Sequence, residues 1–302
     1  MAQQRNPCSA AKLRACIFGE VLFDLFPDGR RVLGGAPFNV AWNLAALGAD
    51  PLLISRVGTD ADGSSVRNAM RISGLDDSGL QNGPGENTGQ VRVTIEDNEP
   101  AYEIVHPEAW DAIAEPDPLP RCGLLYHGSL ALRSERSRRT LESLRAAGPG
   151  TVFVDVNLRD PWWDRDAVTQ LLDGAHWAKF NEHELDLLAP AGEDPETRAR
   201  ATIERYGLKA LLLTAGERGA SLFTSDGARL ATRPPERTEV VDTVGAGDAF
   251  AAVMILGILR GWPLQDSLDR AQALASALVG QRGATVHDPA FYGSLSAAWT
   301  DQ

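Results

Sequence analysis

A repeated alternation of short apolar stretches with helical ones is what most limits the folds open to this chain. Past Pro116, Pro118 and Pro120, strands are predicted near residues 123–127, 151–156, 176–180 and 209–214, and helices near 134–147, 165–172, 182–188 and 195–206. Parallel strands need a crossover long enough to hold a helix, so this rhythm points to a mostly parallel sheet with helices packed on it. The N-terminal part starts the same way. Residues 15–24 read as a strand with Ile17, Phe18, Val21, Leu22 and Phe23 inside, and 37–47 as a helix with Pro37 in its first turn and Gly48 at its stop. A strand at 52–57 and a helix at 60–72, closed by Gly74, follow. Segments 88–95 and 101–105 break the rhythm. They alternate as strands around Glu96, Asp97, Asn98 and Glu99, the pattern of a hairpin standing off the main sheet. Two or three strands over 220–241 come next, then two apolar helices at 247–259 and 264–280. The expected organisation is a flexible tail over 1–14 and a single α/β domain over 15–302, with a small β-lid made from segments about 24–33 and 87–105.

Composition excludes more than it identifies. A length of 302 residues is ample for one large α/β domain. A net charge of -12 argues against a protein that grips nucleic acid through its phosphates. It leaves a nucleotide open as a ligand, since small phosphates are held by local amides. The cysteines, Cys8, Cys16 and Cys122, are odd in number and irregularly spaced, with no pair resembling a zinc or redox motif, so a reduced, cytoplasmic setting is the simpler reading. Residues 1–13 lack the apolar stretch of a secretion signal, and the longest apolar run, 249–259, falls short of the ~20 residues that span a bilayer. No membrane partner is expected. The histidines show no metal-ligand spacing.

The strongest chemical signal is Asp242-Thr243-Val244-Gly245-Ala246-Gly247-Asp248-Ala249-Phe250, a glycine-rich turn running straight into an apolar helix. Small residues let the backbone approach an anion, and the unpaired N–H groups of a helix start, aligned with its dipole, would cradle a phosphoryl group. Asp248 stands at the rim of that cradle, where a carboxylate would ordinarily repel phosphate. Taking a proton from an attacking hydroxyl is a reason for it to be there. The rival reading is a plain acidic residue in the first turn of a helix. No G-x-x-x-x-G-K-[ST] loop occurs, which excludes P-loop chemistry, and no G-x-G-x-x-G turn follows the first strand.

The two ends of the chain together carry a family resemblance. Gly34-Gly35-Ala36-Pro37-Phe38-Asn39-Val40-Ala41, followed by Leu47-Gly48 and by Ser55-Arg56-Val57-Gly58-Thr59-Asp60 with Gly63, resembles the N-terminal signature of the PfkB, or ribokinase, family of carbohydrate kinases. The segment from Asp242 to Phe250 resembles the C-terminal one. The resemblance runs from Ile17 to about Thr285 and implies a ribokinase-like three-layer α/β/α fold with a central mostly parallel sheet and a small β-lid. It implies Asp248 as general base beside an anion hole of Gly245, Ala246 and Gly247, with Asp24, Gly34, Gly35 and Asn39 contacting the sugar. Asn181 with Glu184 resembles the family's Asn-x-x-Glu motif, which organises magnesium, through water, and the ATP phosphates. Thr214, Gly216 and Gly219 resemble its Thr-x-Gly-x-x-Gly nucleotide loop, with an ordinary hairpin turn as the rival.

Other positions follow from the same likeness. Ala275, Ala277 and Gly283 lie where the family packs a helix and loop against adenine, and Gln272 stands where relatives often carry Asn. Asp242, with the backbone around Val244 and Gly283, lies where many relatives bind a monovalent cation, so potassium joins ATP and magnesium among the implied ligands. Asn157 and Arg159 belong to a segment, 155–162, similar to one shared by fructokinase-like and 2-keto-3-deoxygluconate kinase-like members. Both would reach the sugar or an acidic group on it, unless Arg159 serves a structural salt bridge. Tyr102 in the lid would stack on the sugar or pack the lid. The start Gly19-Glu20-Val21-Leu22-Phe23-Asp24, and Ala36 where ribokinases usually carry Lys, lean toward fructokinases. The implied activity is transfer of the γ-phosphoryl group of ATP to a small sugar, D-fructose at its 6-hydroxyl first, with 2-keto-3-deoxygluconate, ribose or a nucleoside as alternatives. Relatives often pair their lids in a homodimer, while Val91, Val93 and Ile104 would equally cover the site of a monomer.

Overall fold

The computed structural model describes residues 14–96, 99–235 and 240–299. The expected tail, apart from Arg14, lies outside the described residues, as do the hairpin-turn residues Asp97 and Asn98. The chain begins with β1 (Arg14–Phe18), β2 (Leu22–Leu25), β3 (Arg31–Gly34), α1 (Ala36–Ala46), β4 (Leu52–Gly58), α2 (Ala61–Ser73), β5 (Leu80–Gly83), β6 (Gly89–Glu96) and β7 (Glu99–Ile104). It continues through β8 (Cys122–His127), α3 (Glu135–Ala146), β9 (Thr151–Asp155), α4 (Arg165–Leu172), β10 (Trp177–Asn181), α5 (Glu182–Leu188), α6 (Pro195–Tyr206) and β11 (Ala210–Thr214). Last come β12 (Ala220–Thr224), β13 (Arg229–Thr232), α7 (Ala246–Arg260), α8 (Leu264–Leu278) and α9 (Pro289–Ser296).

Among the described residues the main sheet has nine strands, in the order β13-β12-β11-β10-β9-β8-β1-β4-β5, parallel from β11 to β5 and antiparallel where β12 and β13 fold back. Successive side chains of a strand face opposite ways, so each strand feeds two cores. Ile17, Leu53, Tyr126, Phe153 and Leu212 pack with α1, α2, α7 and α8, whereas Cys16, Phe18, Leu125, Val154, Phe180 and Leu213 pack with α3 to α6. This is the three-layer α/β/α fold that the resemblance implies. A second sheet, in the order β3-β2-β6-β7, stands apart from the first.

Three features differ from the expectation. The strand read over 15–24 is two strands in two sheets, divided at Gly19, whose φ of 147° and contact with the Pro37 ring leave no room for a side chain. β5 and α9 were not foreseen, since neither carries a long periodic pattern. Cys16 and Cys122 form a disulfide between neighbouring strands, with a Cα–Cα distance of 5.6 Å. Parallel pairing brings together cysteines 106 residues apart, which spacing alone does not reveal. The argument for a reduced compartment from unpaired cysteines therefore falls.

Candidate active site

Parallel strands carry their ligands beyond their C-terminal ends, and that is where the singled-out residues gather. Gly245, at φ 80°, is the N-cap of α7, and a side chain on it would overlap Ala284. The turn thus delivers the amides of Ala246 and Gly247 and the side chain of Asp248 from the first turn of α7. Gly35, at φ 104°, opens α1, where a Cβ would sit only 2.7 Å from the Glu20 carbonyl oxygen. One turn on, Asn39 donates from Nδ2 to Asp248 Oδ2 at 2.8 Å. A Cβ placed on Gly34 would lie 3.8 Å from Asp24 Oδ2 and 3.9 Å from Asn39 Oδ1. Asp24, Gly34, Asn39 and Asp248 are therefore contiguous, although they come from both ends of the chain.

Electrostatics match the geometry. Burial pushes Asp248 up from 3.8 to about 6, with the nearby Asp155 adding to the rise, while the Asn39 hydrogen bond, Lys179 and Arg159 oppose it. Burial likewise lifts Asp24 to about 6 against the pull of Arg159. Arg159 is exposed and, among the described residues, makes no ion pair; its side chain donates only to its neighbour, Leu158 O, at 3.1 Å. Its charge acts on the carboxylates of the cleft, Glu20, Asp24 and Asp248. Asn157, at φ 40°, is among the described residues the one non-glycine with a left-handed backbone. Such strain is tolerated where a loop must aim a side chain.

On the nucleotide side, Asn181 caps α5: its Oδ1 accepts from Glu184 N and Glu184 Oε2 accepts from Asn181 N, both at 2.8 Å. Glu184 Oε1 also accepts from Leu158 N at 3.0 Å, tying this motif to the loop of Asn157 and Arg159. Thr214 pairs with Asn181 across β10 and β11. Gly216 (φ 56°) and Gly219 (φ 90°) turn the chain from β11 into β12, so the hairpin and the candidate nucleotide loop are the same structure. Asp242 accepts from Val244 N and Gly283 N, each at 3.0 Å, pinning two loops beside the cradle. Ala275 is packed inside the α7–α8 core, leaving Ala277 and Gly283 as the more open members of the adenine set. Gln272 is turned to Ser276 at 3.0 Å.

Register settles the face of Tyr102. Asp24 pairs with Val91, Val91 with Ile104, and Val93 with Tyr102, so Tyr102 shares the face of Asp24. It is 54 % exposed, which is no lid-packing aromatic, while Val91, Val93 and Ile104 are buried within this chain. A cleft of about 970 Å³ between α3 and α4 holds none of the residues discussed so far in the site.

Four residues escaped sequence reasoning. Lys179 Nζ donates to both oxygens of Asp155 at 2.9 Å, and Tyr126 donates to Asp155 Oδ2 at 3.2 Å. The ammonium lies 3.4 Å from where a Cβ on Gly247 would be, so a buried cation backs the cradle. Burial lowers the Lys179 pKa, but Asp155, Glu184 and Asp248 outweigh it and leave it raised. Glu20 is buried beside Arg159 and Asp248, and burial lifts it to about 7. The signal was there: Glu20, Asp155 and Lys179 are charges inside apolar strand runs, where charge is rare unless partnered.

A glycine-rich helix start, a buried cation behind it and a carboxylate among hydrogen-bond acceptors are what a phosphotransferase with an alcohol group as acceptor requires. The description "pfkB family carbohydrate kinase" matches residues 12–290, and the chain belongs to that family. It is 33% identical over 293 residues to the fructokinase of Salmonella typhimurium, covering 89% of this chain and 94% of that one. Fructokinase from Vibrio cholerae O395, solved with fructose, ADP and a calcium ion, superposes with a TM-score of 0.81 at 25% identity, over 94% of this chain and 99% of that one. Aminoimidazole riboside kinase from Salmonella enterica, solved with its riboside and an ATP analogue, gives 0.79 at 26% identity, over 93% and 99%.

Proposed function

We propose that this protein is an ATP-dependent fructokinase, moving the γ-phosphoryl group of ATP to the 6-hydroxyl of D-fructose. The reading is carried by the hydrogen bond from Asn39 to Asp248, which joins the sugar-side residues to the phosphate cradle. Fructose as acceptor is supported by the fructokinase relatives. The riboside kinase keeps a nucleoside as the alternative, with ribose and 2-keto-3-deoxygluconate behind it.

In this mechanism Asp24, Asn39, Asn157 and Arg159 orient the sugar, with Gly34 and Gly35 allowing close approach. Asp248 takes the proton of the attacking hydroxyl. A pKa of about 6 suits that task, since the group is ionised at neutral pH and still basic. The amides of Gly245, Ala246 and Gly247, with Lys179 behind them, stabilise the charge that grows on the transferring group. The sheet β3-β2-β6-β7 acts as a lid that brings Tyr102 onto the sugar and excludes water. Thr214, Gly216, Gly219, Ala277 and Gly283 line the nucleotide's place.

Among the described residues no group of three or more His, Cys, Asp or Glu gathers as a metal cage. Magnesium typically keeps its waters and rides on substrate phosphates, and Glu184 fits that mode: each oxygen accepts one backbone N–H and retains a lone pair for a metal-bound water. Asp242 and the backbone of Val244 would hold potassium in the same manner. Both cations would supply charge neutralisation for the phosphates. A homodimer would use the edge strand β7, since the apolar lid residues are buried in their own chain. No helix among the described residues is long and apolar enough to cross a membrane, and a cytoplasmic site of action fits the use of ATP.

A panel of neutral and acidic sugars and nucleosides, assayed with ATP, magnesium and with or without potassium, tests the reading. Fructose should lead the panel and potassium should raise the rate. Fructose ranking far below another acceptor overturns the choice of sugar, and a flat potassium series removes the second cation.

A further inference from the structure

Glu20 sits in the bend between β1 and β2 with 3 % of its surface exposed, and its Oε2 has no hydrogen-bond partner. Asn39 Oδ1, from a residue 4 % exposed, is unpartnered as well. Orphaned buried acceptors are uncommon in native proteins, and each marks a place for a missing donor. Part of the Glu20 carboxyl has a structural task. It lies against the backbone N–H groups of Glu20 itself and of Ala36, the first residue of α1, whose N-cap Gly35 supplies no side-chain cap. Whatever that task, Oε2 is left without a partner.

The surroundings say what donor is missing. Glu20 is within electrostatic reach of Asp248 on α7, Arg159 beyond β9 and Tyr126 on β8, and Asn39 Oδ1 converges with Asp24 beside Gly34. Four carboxylates, Glu20, Asp24, Asp155 and Asp248, against the two cations Arg159 and Lys179 favour a neutral molecule rich in O–H groups over an anion. We propose that Glu20 is a further substrate-binding residue, its Oε2 and Asn39 Oδ1 accepting two hydroxyl groups of a neutral sugar and disfavouring a sugar acid in the same position. This rests on the sugar-kinase reading above and adds to it a residue that sets the class of acceptor.

The test uses the full chain carrying Glu20→Gln, which keeps length and one carbonyl oxygen for the cap, and Glu20→Asp, which keeps the charge but withdraws it by one methylene. Fructose affinity is measured by calorimetry, with KM and kcat at saturating ATP, using 2-keto-3-deoxygluconate as the acidic probe. A hydrogen bond to a charged acceptor is worth a factor on the order of 10 to 100. Both variants should weaken fructose binding and raise its KM by about that factor, with ATP-analogue affinity unchanged. Glu20→Gln should also narrow the preference for fructose over the acid. A sugar KM within about twofold of wild type in either folded variant, with only the melting temperature lowered, would reduce Glu20 to a helix cap and overturn the inference. Failure of the wild-type protein to bind any neutral sugar would overturn both this inference and the functional reading, and is seen before any variant is made.

Discussion

Replacing Asp248 with Asn separates the two things this carboxylate does. As a base it should be worth a factor on the order of 10² to 10⁴ in turnover, because an amide cannot take the hydroxyl proton. The side chains are nearly isosteric, and the Asn carbonyl oxygen can still accept from Asn39 Nδ2, so sugar affinity should change little. The same carboxylate burdens the fold. Its rise from 3.8 to about 6 corresponds to at most about 3 kcal/mol, an upper bound because Asp248 keeps some solvent exposure. A raised carboxylate pKa means stability that is fully present below 3.8 and lost as pH rises through about 6. Asp248→Asn should therefore melt above wild type at pH 8, with the difference shrinking between pH 6 and 4 and vanishing below. Wild-type kcat/KM should fall on the acid side near pH 6, and that limb should be missing from the residual activity of the variant. Coupled-enzyme kinetics and thermal melts over the same pH series measure both effects. Near-normal turnover in the folded variant would remove the assigned base. A lower melting temperature at pH 8 would refute the electrostatic argument.

Lys179→Met should strand the buried charge of Asp155 and cost about 3–5 kcal/mol by denaturant unfolding. Adding Asp155→Asn should recover most of that stability but not turnover, because the cation behind the cradle is still absent; recovery of turnover in the double variant would make Lys179 purely structural. Gly245→Ala forces a side chain into a left-handed position and onto Ala284, so kcat should fall by at least tenfold while fructose affinity holds, the reverse pattern counting against the cradle.

Much of the local chemistry was legible without coordinates. The glycine corner before an apolar helix, the Asn181 and Glu184 pair at capping distance and the alternating segments of the second sheet are properties of neighbouring residues, governed by turn, cap and strand preferences that act over a few positions. The sequence alone also determined the order of strands and helices well enough to demand a parallel sheet. It did not reveal that one apparent strand breaks at Gly19 to serve two sheets, because the steric conflict is with Pro37, a residue of another element.

What only the tertiary structure decided is which distant residues meet. Asn39 touches Asp248 across 209 positions, Cys16 bonds to Cys122, and Lys179 faces Asp155 from the next strand. Each of these depends on strand order and register, which arise from the packing of whole layers and leave no mark in short-range pattern. Glu20 shows the consequence: its charge stood out among apolar neighbours, but only its burial within electrostatic reach of Asp248 and Arg159 makes it a candidate for the site.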